Sequence, residues 1–354
     1  MDKKALLSSI LKKEECQGIL FTNLYDILFL LDEESSLNFV EANPYFLYTE
    51  EKGFLIGDEI SLSLFPRKRD VVKIKVETED YIKMGFAPAA KIAELVKKEN
   101  MHLLCSFHPV EIPGVKVKVV ENPLLRLQQI YTDERLERLV EAIRICERVL
   151  EEIKKEIQEG MWEIDLRAGI ERKIFEKGGD GRPFPARVAF GENTAIPQHI
   201  PGSRELKKGD LILVDFGVFK KGVCGEITRM FCLGEPAEEW KKIEEILREA
   251  REKALLFMKP GKVASEVDRI VREFFNEKGY RENFLGVLGE PVTPGKGGIY
   301  LRPGESSILK PGLAFTLEPS LYFPRKGGMR IEDVVVITES SNQVLTTFPL
   351  FTCL

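Results

Sequence analysis

Residues 214 to 231 read VDFGVFKKGVCGEITRMF, and the two acids in this run limit the folds open to the chain more than any other feature. Leu211, Ile212, Leu213 and Val214 lead into Asp215, and Val223, Cys224, Ile227 and Met230 follow a polar break at Lys220, Lys221 and Gly222. Two apolar arms around a Gly-containing break predict a β-hairpin. That hairpin is expected to set Asp215 and Glu226, eleven positions apart, opposite each other. Like charges facing one another across a strand pair destabilise it, and burial adds to the cost by disfavouring both ionised forms. Three things explain such a pair: exposure to water, a basic partner, or a metal cation between the carboxylates.

Composition narrows the setting. At 354 residues the chain is long enough for two domains with cores of their own. Its six cysteines form no CxxC pair and no apolar leader precedes a cleavage site, which predicts a reduced, cytoplasmic protein. The stretch GILFTNLYDILFLL, residues 18 to 31, is interrupted by Asp26 and too short to span a bilayer, so it is expected as a pair of core strands. Charged residues make up 31% of the chain at a net charge of −5, and the one basic cluster, RKRD at 67 to 70, is short. Neither nucleic acid nor a membrane is expected as a partner.

The character of the chain changes once. Residues 1–122 alternate short strands and helices, as an α/β domain does. A linker is expected at 123–132, with Thr132 or Asp133 as an N-cap, and an α+β domain over 133–354. That domain opens with a helix placing Leu136, Leu139, Val140, Ile143, Cys146, Leu150, Ile153 and Ile157 on one face and ending at Gly160. Further helices are expected near 162–177, 237–257 and 263–278, with strands near 186, 211, 223, 313 and 330. The charge-rich block EEWKKIEEILREAREK is read as a solvated helix face.

A second informative run, FTLEPSLYFPRKGGMRIEDVVVIT, adds Glu318 and Glu332 in strands as apolar as those of the hairpin. With Asp215 and Glu226 they make four isolated acids in β-rich surroundings, which points to a shared polar site.

VDFG, then GEITR, FTLEP and MRIED, with KKGD before and KPG between, resemble the Xaa-Pro dipeptidase, aminopeptidase P and methionine aminopeptidase family. FPARVAFGENTAIP is similar to that family's FPxIVASGxNxAxPH, and the separations of Asp215 from Glu226 (eleven) and of Glu318 from Glu332 (fourteen) match as well. The resemblance implies a pita-bread domain behind a creatinase/prolidase-type amino-terminal domain. It further implies two divalent metals held by Asp, Asp, His, Glu and Glu around a bridging hydroxide, a Glu that shuttles the proton, and histidines that steady the intermediate. On this chain the metal positions fall to Asp215, Glu226, Glu290, Glu318 and Glu332, with Glu318 the catalytic acid/base and His199 the histidine beside the catalytic position. A homodimer formed through the amino-terminal domain is also implied. The stretches 18–31 and 44–56 are the candidate surface, with core burial as the competing reading.

The departures lie in the imidazoles. Glu226 replaces an aspartate; Glu290 and Pro291 occupy a His-Gly pair; Gly286 stands where an earlier His is expected; Gly297 and Gly298 stand near an expected His-Glu; and Gln198 replaces the His of Pro-His. Only three histidines exist in the chain. Five carboxylates make an all-oxygen centre that favours Mn²⁺, Mg²⁺ or Ca²⁺ over Zn²⁺. If no metal binds, a base must compensate them, and Lys296, Arg302 and Arg330 are the candidates. The first expectation is a family member that has lost peptidase activity and binds a peptide, a protein partner or a small ligand. The alternative is a divalent-metal-dependent Xaa-Pro dipeptidase or aminopeptidase working with an all-carboxylate centre.

Overall fold

The computed structural model describes residues 2–33, 44–77, 88–295 and 297–354. The chain forms two compact units, Met1–Leu127 and Gln128–Leu354.

The first unit is an α/β structure around one mixed sheet. Its strands are β1 (Gly18–Phe21), β2 (Tyr45–Tyr48), β3 (Gly53–Gly57), β4 (Val71–Lys75), β5 (Leu103–Ser106) and β6 (Lys116–Val119), in the order β4-β3-β2-β1-β5-β6. The run at 18–31 is one strand followed by a helix, Leu24–Leu30, and not a strand pair. The divider is Asn23, whose side chain accepts from the Tyr25 N–H and starts the helix. β1 and β3 are buried throughout, so these stretches build the core and leave little of themselves as dimer surface. Cys16 and Cys105 are joined in a disulfide, against the expectation that all cysteines are free. Parallel pairing of β1 with β5 brings their Cα atoms to 6.1 Å, a reach that no CxxC spacing signals.

The expected linker contains a short helix, Leu124–Gln128, whose last residue opens the second unit. The long helix follows as Asp133–Glu156, a turn shorter at its end than the Gly160 stop predicts. Helices Glu163–Glu176, Glu238–Phe257 and Ala264–Glu277 appear near their expected places. The central sheet is β7 (Arg187–Phe190), β8 (Leu211–Lys220), β9 (Val223–Cys232) and β15 (Phe351–Cys353), ordered β15-β9-β8-β7. Apolar residues occupy both parities of β8. Ile212, Val214 and Phe216 pack with Cys146, Leu150 and Ile153 of the long helix, while Leu211 and Leu213 pack with Leu247, Val267 and Val271 of the later pair. Asp215 shares the parity of Leu211 and Leu213 and points away from the long helix.

Five further strands complete the site. β10 (Ala314–Leu317) pairs with β13 (Asp333–Ile337), which pairs with β14 (Asn342–Val344). β11 (Ser320–Phe323) and β12 (Gly327–Arg330) form a hairpin. A bridge between Thr228 and Glu332 ties this group to β9. Along the charge-rich helix Glu238–Phe257, Arg251 departs from the solvated reading: its Nε donates to the buried Asp333 at 2.6 Å.

Candidate active site

β8 and β9 turn through Lys221 and Gly222, both at positive φ (45° and 80°), the conformation that a two-residue hairpin loop uses to follow the strand twist. The register that results pairs Asp215 with Thr228 and Glu226 with Gly217. Asp215 and Glu226 are therefore diagonal neighbours on one face, not directly opposed, and the like-charge penalty falls accordingly.

Asp215 is buried and meets two guanidinium groups. Arg187, its ladder partner on β7, donates Nη1 to Oδ2 at 2.7 Å. Arg330, at the end of β12, donates Nη2 to the same oxygen. Arg330 spends its other donors on Thr228 Oγ1 (3.3 Å), the Tyr322 hydroxyl (3.3 Å) and the Pro197 carbonyl (3.4 Å). Burial opposes the charge on Arg330, but Asp215, Tyr322, Glu318 and Glu332 outweigh it and hold the group firmly protonated.

The glutamates surround this pair. Glu226 is half-buried and accepts from the Cys224 thiol at 3.1 Å. Burial pushes its carboxyl up to about 7, with Asp215 and Glu290 adding to the shift and Cys224 and Arg187 opposing it. Glu318 leaves β10 and accepts from Thr316 Oγ1 at 2.9 Å. Burial, joined by Glu290 and Asp215, raises it to about 8 against the pull of Arg330. Glu332 accepts from Thr228 Oγ1 and lies well above the usual carboxylate range because of burial, Glu318, Asp215 and Glu226. Glu290 sits at the exposed rim. Its backbone exchanges bonds with Thr316, through Glu290 N–H to Oγ1 at 2.8 Å and Thr316 N–H to the Glu290 carbonyl at 2.9 Å. Gly289 makes this possible, since a Cβ there would stand 2.1 Å from the Thr316 carbonyl oxygen.

The remaining expected residues lie elsewhere. The His199 ring engages Glu163, 2.8 Å away, and none of the five carboxylates. Glu163 is fully buried and also accepts from the Phe190, Asn193 and Gly202 donors, so the pair organises the 190–202 loop. Arg302 is exposed and lies over the Tyr300 ring, and Lys296 lies outside the described residues. Arg330 is the expected base that does meet the carboxylates. Arg187 was missed. A signal was present, because it occupies the aliphatic slot of the FPxIVASG pattern, in a strand where a charge needs a partner.

Donor chemistry fits a hard divalent cation. Every candidate ligand is a carboxylate oxygen, and two guanidinium groups offset only part of the charge of five acids, leaving three negative charges when all are ionised. The raised glutamates are the electrostatic sign of that deficit. Among the described residues, no three acidic, histidine or cysteine side chains are drawn around a single point as an ion's ligands. Instead, Asp215, Glu226, Glu318 and Glu332 are each turned onto a donor of their own.

Similarity to known proteins extends over most of the chain. The model of metallopeptidase family M24 matches residues 137–339. An uncharacterized peptidase of Bacillus subtilis, YqhT, is 32% identical over 310 residues, covering 83% of this chain and 86% of its own. The Xaa-Pro dipeptidase of Pyrococcus horikoshii is 28% identical over 323 residues, covering 90% of this chain and 85% of its own. Among solved structures, an Xaa-Pro dipeptidase from Bacillus anthracis superposes with a TM-score of 0.87 at 25% identity, over 99% of each chain.

Proposed function

The chain belongs to metallopeptidase family M24 and has its pita-bread fold, and from that premise we propose that it is a divalent-metal-dependent hydrolase of short Xaa-Pro peptides. Asp215, Glu226, Glu290, Glu318 and Glu332 are the residues that would hold the cations. The observation that carries this reading is Arg187. The resemblance pattern has four carboxylates, a neutral imidazole and the Arg of MRIED. Here an imidazole has become Glu290, and a guanidinium has entered at Arg187, 2.7 Å from Asp215. Five acids against two guanidiniums leave the same three negative charges as four against one, so the balance presented to two divalent cations is preserved. Without cations the same guanidinium offsets part of the buried charge, and the assay of the metal-loaded protein below separates the two readings.

Bound divalent cations supply Lewis acidity toward the scissile carbonyl and acidify water. The chain supplies the rest. Glu318, steadied by Thr316, is the carboxyl that would take up and return the proton. Arg330 and Arg187 hold Asp215 in one orientation from two sides, and Glu332 is anchored by Thr228. All-oxygen ligation favours Mn²⁺ or Mg²⁺ over Zn²⁺.

A second reading, a binding protein that no longer cleaves, is favoured by one feature. Gln198, Gly286 and Gly297 replace imidazoles, and His199 is committed to Glu163. The deciding experiment is an assay of the metal-loaded protein on Xaa-Pro dipeptides with Mn²⁺ or Mg²⁺. Cleavage is expected, abolished by Glu318→Ala. A silent wild type that still binds Mn²⁺ would establish the second reading.

A further inference from the structure

The side chain of Glu226 is one methylene longer than the aspartate of the resemblance pattern, and the residue before it bears no side chain at all. Gly225, Val223 and Ile227 share the parity that faces the long helix Asp133–Glu156, and Glu226 faces the opposite way, toward Asp215. At Gly225 strand and helix are in backbone contact: a Cβ there would lie 2.9 Å from the Ile143 nitrogen and 3.0 Å from the Ala142 carbonyl carbon. These are main-chain atoms of a packed helix and cannot rotate aside. Cys146 adds a seat from the same helix, with its thiol 3.7 Å from the Gly225 carbonyl oxygen. On the other face, Glu226 already lies close over Gly217, where a Cβ would come within 3.1 Å of its Cγ. Glu226 is thus confined from behind by the helix and from the front by β8.

We propose that Gly225 is a positioning residue that sets the depth of Glu226, letting β9 sink onto the helix by about the length that the extra methylene adds, so that the carboxylate stands where the shorter acid would. The inference rests on the metal-centre reading given above. An ordinary Cβ contact is about 0.5–1 Å longer than the spaces available at Gly225. A side chain there therefore pushes β9 toward the site by an amount that a catalytic constellation does not tolerate, the limit being about 0.5 Å.

The two positions are therefore coupled in sign. Gly225→Ala carries Glu226 too far forward, and Glu226→Asp in the native background falls short. Together they cancel, because the shorter acid sits on the advanced strand. The test is calorimetric titration of Mn²⁺ into the wild type, Gly225→Ala, Glu226→Asp and the double variant, with melting of each in EDTA. Each single change is expected to weaken Mn²⁺ binding about 10-fold or more, and the double variant to return to within about 3-fold of the wild type. The melting loss caused by Gly225→Ala should persist in the double variant, since the clash with the helix remains. A merely structural role for Gly225 would make affinity and stability fall together. Additive losses of affinity in the double variant would overturn the proposal. So would a Glu226→Asp protein that binds Mn²⁺ as well as the wild type, an outcome that stands even if Gly225→Ala does not fold. If all four proteins give no heat with Mn²⁺, the metal-centre reading itself has failed, and this proposal fails with it.

Discussion

Replacing Arg187 with leucine tests whether its charge balances the carboxylates of the site or only anchors a strand. The change removes one of the two guanidinium bonds to Asp215 Oδ2, the 2.7 Å contact, and leaves Arg330 in place. It also removes a stack of the guanidinium over Phe184, 4.5 Å from the ring centre, part of which leucine replaces by apolar contact. A hydrogen bond to a charged group is worth roughly 1.5–3 kcal/mol. The Arg187 side chain is 28% exposed and Asp215 keeps a second cation, so the lower end applies. A loss of about 1–2 kcal/mol in a domain of this size lowers the melting temperature by about 3–6 °C. Cations should reverse that loss, since removing one positive charge leaves the carboxylates with more to gain from a divalent ion. Thermal melts of wild type and Arg187→Leu in EDTA, then in excess Mn²⁺, read this directly: a deficit in EDTA that shrinks or vanishes with Mn²⁺. An Arg187→Leu protein that melts with the wild type in EDTA would refute the energetic argument. A deficit that Mn²⁺ leaves unchanged would show that Arg187 makes a structural ion pair with no share in the charge balance of the site.

The raised carboxyls make stability depend on pH in a direction opposite to acid denaturation. Glu226 and Glu318 hold their protons to about 7 and 8 in the folded chain, and an unfolded glutamate releases its own near 4.5. The folded state therefore binds more protons between these limits, and urea melts in EDTA should show stability falling as pH rises from about 5 to 8; Mn²⁺, which ligates the ionised forms, should flatten that slope. Gly289→Ala places a methyl 2.1 Å from the Thr316 carbonyl oxygen and should cost about 3 kcal/mol or more in urea denaturation while displacing Glu290.

Local pattern alone determined much of this protein. The two apolar arms of 211–231 around Lys221 and Gly222 specify a hairpin, the apolar face of 136–157 specifies a helix, and the isolated acids Asp215 and Glu226 in those arms, with Glu318 and Glu332 in a second apolar run, point to a shared polar site. These features were legible because strand and helix periods are written within ten or twenty residues. The tertiary structure decided the rest. Asp215 lies diagonal to Glu226 because the turn sets the register of β8 on β9, and a shift of one residue would have put the two acids on opposite faces. The disulfide follows from the pairing of β1 with β5, 89 residues apart in the chain at Cys16 and Cys105. Arg187 becomes a partner of Asp215 through the pairing of β7 with β8, 28 residues away, while Lys296 and Arg302, nearer to Glu290 in sequence, carried the expectation instead. The physical reason is the same in each case. A side chain's face is set by its neighbours along the chain, but its counter-charge is whichever group a distant strand brings to within hydrogen-bonding distance.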